Sequence, residues 1–541
     1  MKKRKVQVGK VADLCNGQMQ KIELEEGNIL LARIKDKFYA TGANCTHYGA
    51  PLETGILNGE RVVCPWHNAC FNIVTGDQEE PPGLDALSRF PVNIKGEDVI
   101  VELPENFASQ GPPEMAKYNP EADNRTFIIL GAGAAGSAAA ETLRSSGFQG
   151  RLIVLSKEDI LPYDRTALSK SYLQNHPSKE SLILRSQDFY EQNDIEVYTH
   201  KSVKQIDAST KSITFDDGTN LEYDALLVAS GSKARQLNIP GANLENVFTL
   251  RKESDAEKIV VAAENAKTAV VVGASFIGME TAASLAQKEI SVKVVAPGSI
   301  PFAKILGEEI GDMFRQLHEQ HGVGFHMNTK VKEIEGNTKV EAVILENGEH
   351  LKADIVIVGI GVEPVTDFLE GIELEPEDRS IPVNEYLQAT EGIYAAGDVA
   401  RFPEANSGEM TRIEHWRLAA QHGRIAARNM LGQQIKFASV PFFWTGQFDV
   451  KLRYTGHAQD WDEIIFQGEI EEQKFLAFYV KNNQILAVAG CGRDKDIAAI
   501  TELMRLRKMP IPKFVKNNST DWVKQLGGGV KDSSKTFTKM T

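Results

Sequence analysis

A duplication constrains this chain most. Thr126 opens TFIILGAGAAGSAAAETLRSSG, and Thr268 opens TAVVVGASFIGMETAASLA. Each is an apolar run of strand length, a glycine turn and an alanine-rich stretch of helical character. The turns read Gly131-x-Gly133-x-x-Gly136 and Gly273-x-Ser275-x-x-Gly278. Such a turn brings the backbone close to a pyrophosphate, which the free N–H groups and dipole of the following helix N-terminus then hold. One motif is weak evidence; the strand before it, the helix after it and a second copy about 140 residues on make it specific. Two α/β units, each built for a dinucleotide, are therefore expected. The strand after the first turn, RLIVLSKED, should end in an acid for an adenosine ribose. Glu158, 22 residues past Gly136, is the candidate, with Lys157 competing for the position.

Ahead of the duplication stand two short loops, Cys45-x-His47 and, sixteen residues on, Cys64-x-x-His67. Gly42, Asn44, Gly49, Pro51 and Pro65 place both pairs in turns. Facing each other across a small β-domain, these loops would bring two thiolates and two imidazoles together, a donor set that suits zinc or iron. Zinc-finger spacing pairs Cys with Cys and His with His, whereas each loop here mixes them. The mixing resembles the Rieske [2Fe-2S] family, whose two cysteines hold one iron and two histidines the other. That resemblance covers residues 1 to about 105 and includes Gly76 of FNIVTG. Respiratory members carry an extra disulfide between the loops; Ala50 and Trp66 stand at the matching positions. The resemblance therefore implies the ferredoxin type, with a potential toward the low end of roughly −150 to +300 mV. Cys70 reads as a packed core cysteine.

Further fragments resemble the flavoprotein disulfide reductase superfamily, and within it the ferredoxin-reductase and apoptosis-inducing-factor branch. They are PYDRTALSK from Pro162, YDALLVASGS from Tyr223, GIYAAGDVA from Gly392 and EHWRLAAQHGRIAARNM from Glu414, in family order over residues 125 to 509. The first glycine turn is similar to flavin sites and the second to nicotinamide sites. The resemblance implies FAD and NAD(P)H as cofactors, with Arg165, Ser230, Gly231, Gly361, Gly397, Asp398, His415 and Trp416 near them. It also implies a Lys170–Glu280 pair beside the isoalloxazine as the catalytic groups. Asp398, after an apolar strand and a Gly-Asp turn, is placed to accept from ribityl hydroxyls. Trp444, in PFFWTGQF, matches an aromatic segment near the flavin and reads as packing. Disulfide-reducing members need a cysteine pair beside the flavin, but from Arg125 onward the only cysteine is Cys491. Electrons must leave by another route, and an N-terminal iron–sulfur domain supplies one. The whole arrangement resembles the apoptosis-inducing factor 3-like family.

The expected fold is multidomain: a β-rich Rieske domain at 1–104, a linker at 105–124, and a flavin domain at 125–247 that resumes at 379–440. A nicotinamide domain is expected at 248–378, an α+β C-terminal domain at 441–510 and a basic flexible tail at 511–541. Residues 505–541 carry nine Lys or Arg against two Asp. A net charge of −14 argues against nucleic acid as a partner. No run reaches the roughly 18 apolar residues of a membrane span, the basic start is no secretory signal, and five scattered cysteines suit a reducing cytoplasm. The expected activity is an NAD(P)H-dependent relay through FAD and the cluster to a one-electron protein acceptor. The alternatives are a redox sensor or the reductase component of a Rieske oxygenase system. Ala296 ends the strand where NADH-preferring relatives carry an acid, and no arginine stands nearby for a 2′-phosphate, so weak cofactor discrimination is expected. The oligomeric state stays open between monomer and homodimer.

Overall fold

The computed structural model describes residues 3–405, 407–517 and 520–527. Both apolar runs before the glycine turns form central strands, buried on both faces because they do not alternate with polar residues. The first sheet has six strands, in the order Ile195–Tyr198, Arg151–Leu155, Thr126–Leu130, Ala225–Val228, Ile393–Ala395 and Gln388–Thr390. Five are parallel and the last is an antiparallel edge. The second sheet is wholly parallel: Val247–Thr249, Ile355–Val358, Thr268–Val272, Ser291–Ala296 and Gly324–Met327.

The two glycine turns are built alike. Gly131 has φ +111°, and a Cβ there would stand 2.1 Å from the Ala229 carbonyl oxygen; at Gly273 the values are φ +112° and 2.2 Å from Gly359 O. Only glycine accepts that combination of left-handed backbone and backbone contact. The chain returns from the second unit earlier than residue 378. Val362–Pro364 already pairs with Ser232–Ala234, and Leu369–Glu370 with Val203–Asp207.

Residues 3–104 form small antiparallel sheets, one of them Ile56–Asn58, Arg61–Val63, Cys70–Asn72 and Gln78–Glu80. The C-terminal unit is a five-stranded antiparallel sheet, beginning with Phe442–Gln447, against which helix Asp494–Arg505 packs. The segment 105–124 is no free tether: Phe107 stacks on Phe90, Gln110–Gly111 pairs with Ala86–Leu87, and the Ala116 and Asn119 N–H groups donate to Arg144 O and Gln149 O. Nor is the tail flexible where it is described. Pro512–Asn517 and Trp522–Gly527 are helices, and Trp522 is fully buried; residues 528–541 lie outside the described residues. One apolar cluster joins Ile56, Val63 and Cys70 to Phe442, Ile465 and Trp522, so the N-terminal domain and the C-terminal sheet share a core.

Candidate active site and cluster loops

A cavity of about 2300 Å³ opens at the C-terminal ends of the two parallel sheets. The first unit lines it with Gly131, Gly133, Glu158, Arg165 and Lys170, and the loop after Ala225–Val228 adds Ser230 and Gly231. Ser275, Glu280 and Gly361 come from the second unit. Gly397, Asp398, His415 and Trp416 come from the returning chain, and Trp444 from the C-terminal sheet. Gly136, Gly273 and Gly278 are not on the wall; they are close-approach positions behind it.

Glu158 is engaged on both oxygens, accepting from the Tyr163 hydroxyl at 2.7 Å and from the Arg165 guanidinium. Asp398 accepts from Ser232 Oγ at 2.7 Å and Arg251 at 2.6 Å, both on Oδ2. Burial pushes the Asp398 carboxyl up, but the Arg251 guanidinium and the Ser232 hydroxyl hold it below its ordinary value. His415 stacks on Phe443, and burial pushes it down to about 4.

Lys170 lies in a π-turn, Leu168–Tyr172, at φ −120° and ψ −106°, outside the helical region. Such a distortion is a recurrent feature of functional positions. Its Nζ donates to Glu280 Oε2 at 2.7 Å, alongside Ser169 Oγ at 2.5 Å. Glu280 Oε1 accepts from Thr445 Oγ1 at 2.7 Å, and Thr445 accepts from Gln447 Nε2 at 3.1 Å. With that amide orientation, His318 Nε2–H donates to Gln447 Oε1 at 2.8 Å. Burial pushes His318 down to about 4 and its Nδ1 has no partner, so the neutral ring is held in one tautomer. The whole chain of donors runs toward Glu280.

The two cysteine–histidine loops are closed in the same way, Cys45 N–H donating to Ala50 O and Cys64 N–H to Ala69 O, each at 2.8 Å. They pair their donors by type. Cys45 and Cys64 are buried in one cluster, and His47 Nδ1 stands 3.0 Å from His67 Nδ1. Among the described residues no three Cys, His, Asp or Glu side chains converge as they would on one ion. Two sulfurs together and two Nδ1 atoms together fit a two-iron centre; a single tetrahedral zinc needs all four at one point. Trp444 lies with its ring centroid 4.4 Å from that of His67, while its side chain also lines the large cavity. Tyr48 stacks on His47 at 3.8 Å and donates its hydroxyl to Asp164 at 2.5 Å.

Thr445, Gln447, His318, Arg251 and Tyr48 escape a reading of the sequence. For the first two a signal exists. Side chains alternate along Phe442–Gln447, which puts Phe442 and Trp444 toward the cluster loops and Phe443, Thr445 and Gln447 toward the second nucleotide unit. Polar Thr and Gln on one face of a buried strand demand partners.

Three family models match: Pyridine nucleotide-disulphide oxidoreductase over residues 125–423, Rieske [2Fe-2S] domain over 4–91 and Reductase C-terminal over 442–526. The chain is 41% identical to apoptosis-inducing factor 3 of Homo sapiens over 532 residues, covering 96% of this chain and 87% of that one. It is 34% identical to rhodocoxin reductase of Rhodococcus erythropolis over 388 residues, covering 71% and 90%. Among solved structures it is similar to the covalent putidaredoxin reductase–putidaredoxin complex, with TM-score 0.71 and 28% identity over 75% of this chain and 98% of that one. Among the described residues no helix is long and apolar enough to cross a membrane. With both nucleotide units, the paired cluster loops and these matches together, the chain belongs to the pyridine nucleotide-disulphide oxidoreductase family, as an NAD(P)H-dependent FAD oxidoreductase of the ferredoxin-reductase type headed by a Rieske [2Fe-2S] domain.

Proposed function

We propose that electrons enter from NAD(P)H at the large cavity and leave one at a time through the Rieske domain to an external one-electron protein acceptor. The observation that carries this reading is Trp444, which spans from the cavity wall to His67. FAD supplies the conversion of one hydride into two single-electron transfers. The chain's own residues bind, orient and bridge. Gly131, Gly133 and the helix Ala134–Ser145 receive the FAD pyrophosphate, Asp398 accepts from the ribityl hydroxyls, and Arg165 with Glu158 forms the wall beside the adenosine. Ser275 and Gly361 admit the nicotinamide nucleotide, and the Lys170–Glu280 pair holds the hydride-receiving end polar. Cys45, His47, Cys64 and His67 hold the two irons. The strand Ser291–Ala296 ends without an acid, which supports weak discrimination between NADH and NADPH. None of the five cysteines is in a disulfide, which suits the cytoplasm as the working compartment.

Stopped-flow spectroscopy on loaded protein tests the route. In Trp444→Leu, NADH should still bleach the flavin at close to the wild-type rate, while appearance of the reduced cluster slows by about tenfold or more, a barrier of about 1.4 kcal/mol. Cluster reduction at the wild-type rate in that variant would remove Trp444 from the path.

A further inference from the structure

The cluster loop bearing His67 is gripped from outside its own domain. Arg453, on the C-terminal sheet and 4% exposed, donates Nε–H to Trp66 O at 2.7 Å and pairs with Asp494 at 2.5 Å. Arg417, on helix Trp416–Met430 and 2% exposed, donates to Asn68 O at 3.1 Å and Pro81 O at 2.9 Å, and pairs with Glu80 at 3.3 Å. Trp66 and Asn68 are the immediate neighbours of His67. Lys451 places its Nζ 5.8 Å from the centre of the Trp66 ring, and Lys170 lines an interdomain cavity together with His47 and Trp444. Arg453, Lys451 and Lys170 are thus the cations brought to the cluster loops from outside their own domain. All three lie in the reductase half. The carboxylates that offset them are Asp494 on Arg453 and Glu280 on Lys170; Glu80 pairs with Arg417, and Asp164 stands on the His47 side through Tyr48.

Reduction of the cluster by one electron, delivered from the reduced flavin, adds one negative charge to it. A cation fixed in a dry interface, as Arg453 is, stabilises that charge far more than mobile ions in water do, and an exposed one such as Lys451 does so to a smaller, salt-screened extent. We propose that the reductase half sets the reduction potential of the Rieske cluster through Arg453, Lys451 and Lys170, raising it above what the N-terminal domain has unassisted. The inference rests on the flavin-to-cluster reading above. By linkage, whatever docking contributes to reduction, reduction contributes to docking. The charged cluster is held tighter than the oxidised one, and the centre is the better electron acceptor where Trp444 can reach it.

The test is an EPR-monitored redox titration of the loaded full-length protein. Lys451 is exposed, so its replacement spares the core. At a fixed applied potential the ratio of reduced to oxidised cluster should fall about threefold in Lys451→Gln and about tenfold in Lys451→Glu, the latter about 59 mV for a one-electron couple. Arg453→Gln should fall at least as far as Lys451→Glu, and high salt should weaken the lysine effect more than the arginine effect. If Arg453→Gln fails to load its cluster, the two Lys451 variants decide. An unchanged ratio, within twofold, in both Lys451 variants with an intact EPR line shape overturns the proposal and leaves the electron route standing. Wild-type protein without acid-labile sulfide or a cluster signal overturns the route and this proposal together.

Discussion

Glu280 accepts hydrogen bonds from three side chains, Ser169, Lys170 and Thr445, and is buried. Lys170 and Ser169 share Oε2, so Oε1 depends on the Thr445 hydroxyl alone. Thr445→Val keeps the shape and removes that donor, leaving a buried carboxylate oxygen unpaired at a cost of about 1–3 kcal/mol. FAD content should stay full while the rate of flavin reduction by NADH falls about tenfold, and Thr445→Ser should restore it. A wild-type rate in Thr445→Val, measured in single turnovers, would show that Lys170 and Ser169 suffice to orient the carboxylate. The family resemblance singles out Lys170 and Glu280 through the motifs around them. The donors from Thr445 back to His318 are not singled out, because they converge from a strand and a helix far apart in sequence.

At the scale of elements, the short helices after Arg505 carry the clearest correction. Their basic residues and glycines suggest a solvated end, yet Trp522 packs at 5.2 Å from the Phe478 ring and donates Nε1–H to Gln467 at 3.3 Å. Helices of six residues do not persist unaided in water; docking an apolar anchor makes them form. Trp522→Ala should therefore cost the C-terminal unit about 3–5 kcal/mol, read as a lower midpoint in chemical denaturation followed by Trp or far-ultraviolet signals. A midpoint equal to wild type would return the segment to the class of loose termini. The glycine turns went the other way: their strand, turn and helix are local features, and each unit forms as its own stretch of sequence implies.

The whole molecule stores histidines that stay neutral in the fold. Burial pushes His318 and His415 down to about 4 and His422 down to about 3, while an unfolded histidine titrates near 6.5. The unfolded chain takes up these protons first, so stability is intact above about pH 6.5 and is lost as pH falls toward 4, by up to about 1.4 kcal/mol per unit for each group. Denaturation midpoints measured from pH 7 to 4.5 should decline accordingly. His318→Gln, which keeps a donor for Gln447 and removes the titration, should flatten its share of the slope. An unchanged slope would mean that His318 is protonated in the native state. At this scale the N-terminal domain is part of the body, since Phe107, the pairing of Gln110–Gly111 and the shared core around Phe442 fasten it.

Two nucleotide units and two Cys–His loops were legible in the chain, because glycine spacing, Cys–His spacing and apolar runs of strand length are short-range patterns, and the same patterns carry the family resemblance that implies the cofactors. Folding settled what those patterns cannot contain. Trp444 read as packing until the strand Phe442–Gln447 placed one of its faces against His67 and the other against Glu280. Nothing in the sequence singles out Arg417 or Arg453, which helix and sheet bring to the carbonyls beside His67. The composition of residues 105–124 suggested a tether, yet partners on two domains pin it. The physical reason is common to all three: hydrogen bonds, aromatic contacts and fields between charges depend on distances through space, and residues more than 300 apart in sequence meet at these contacts.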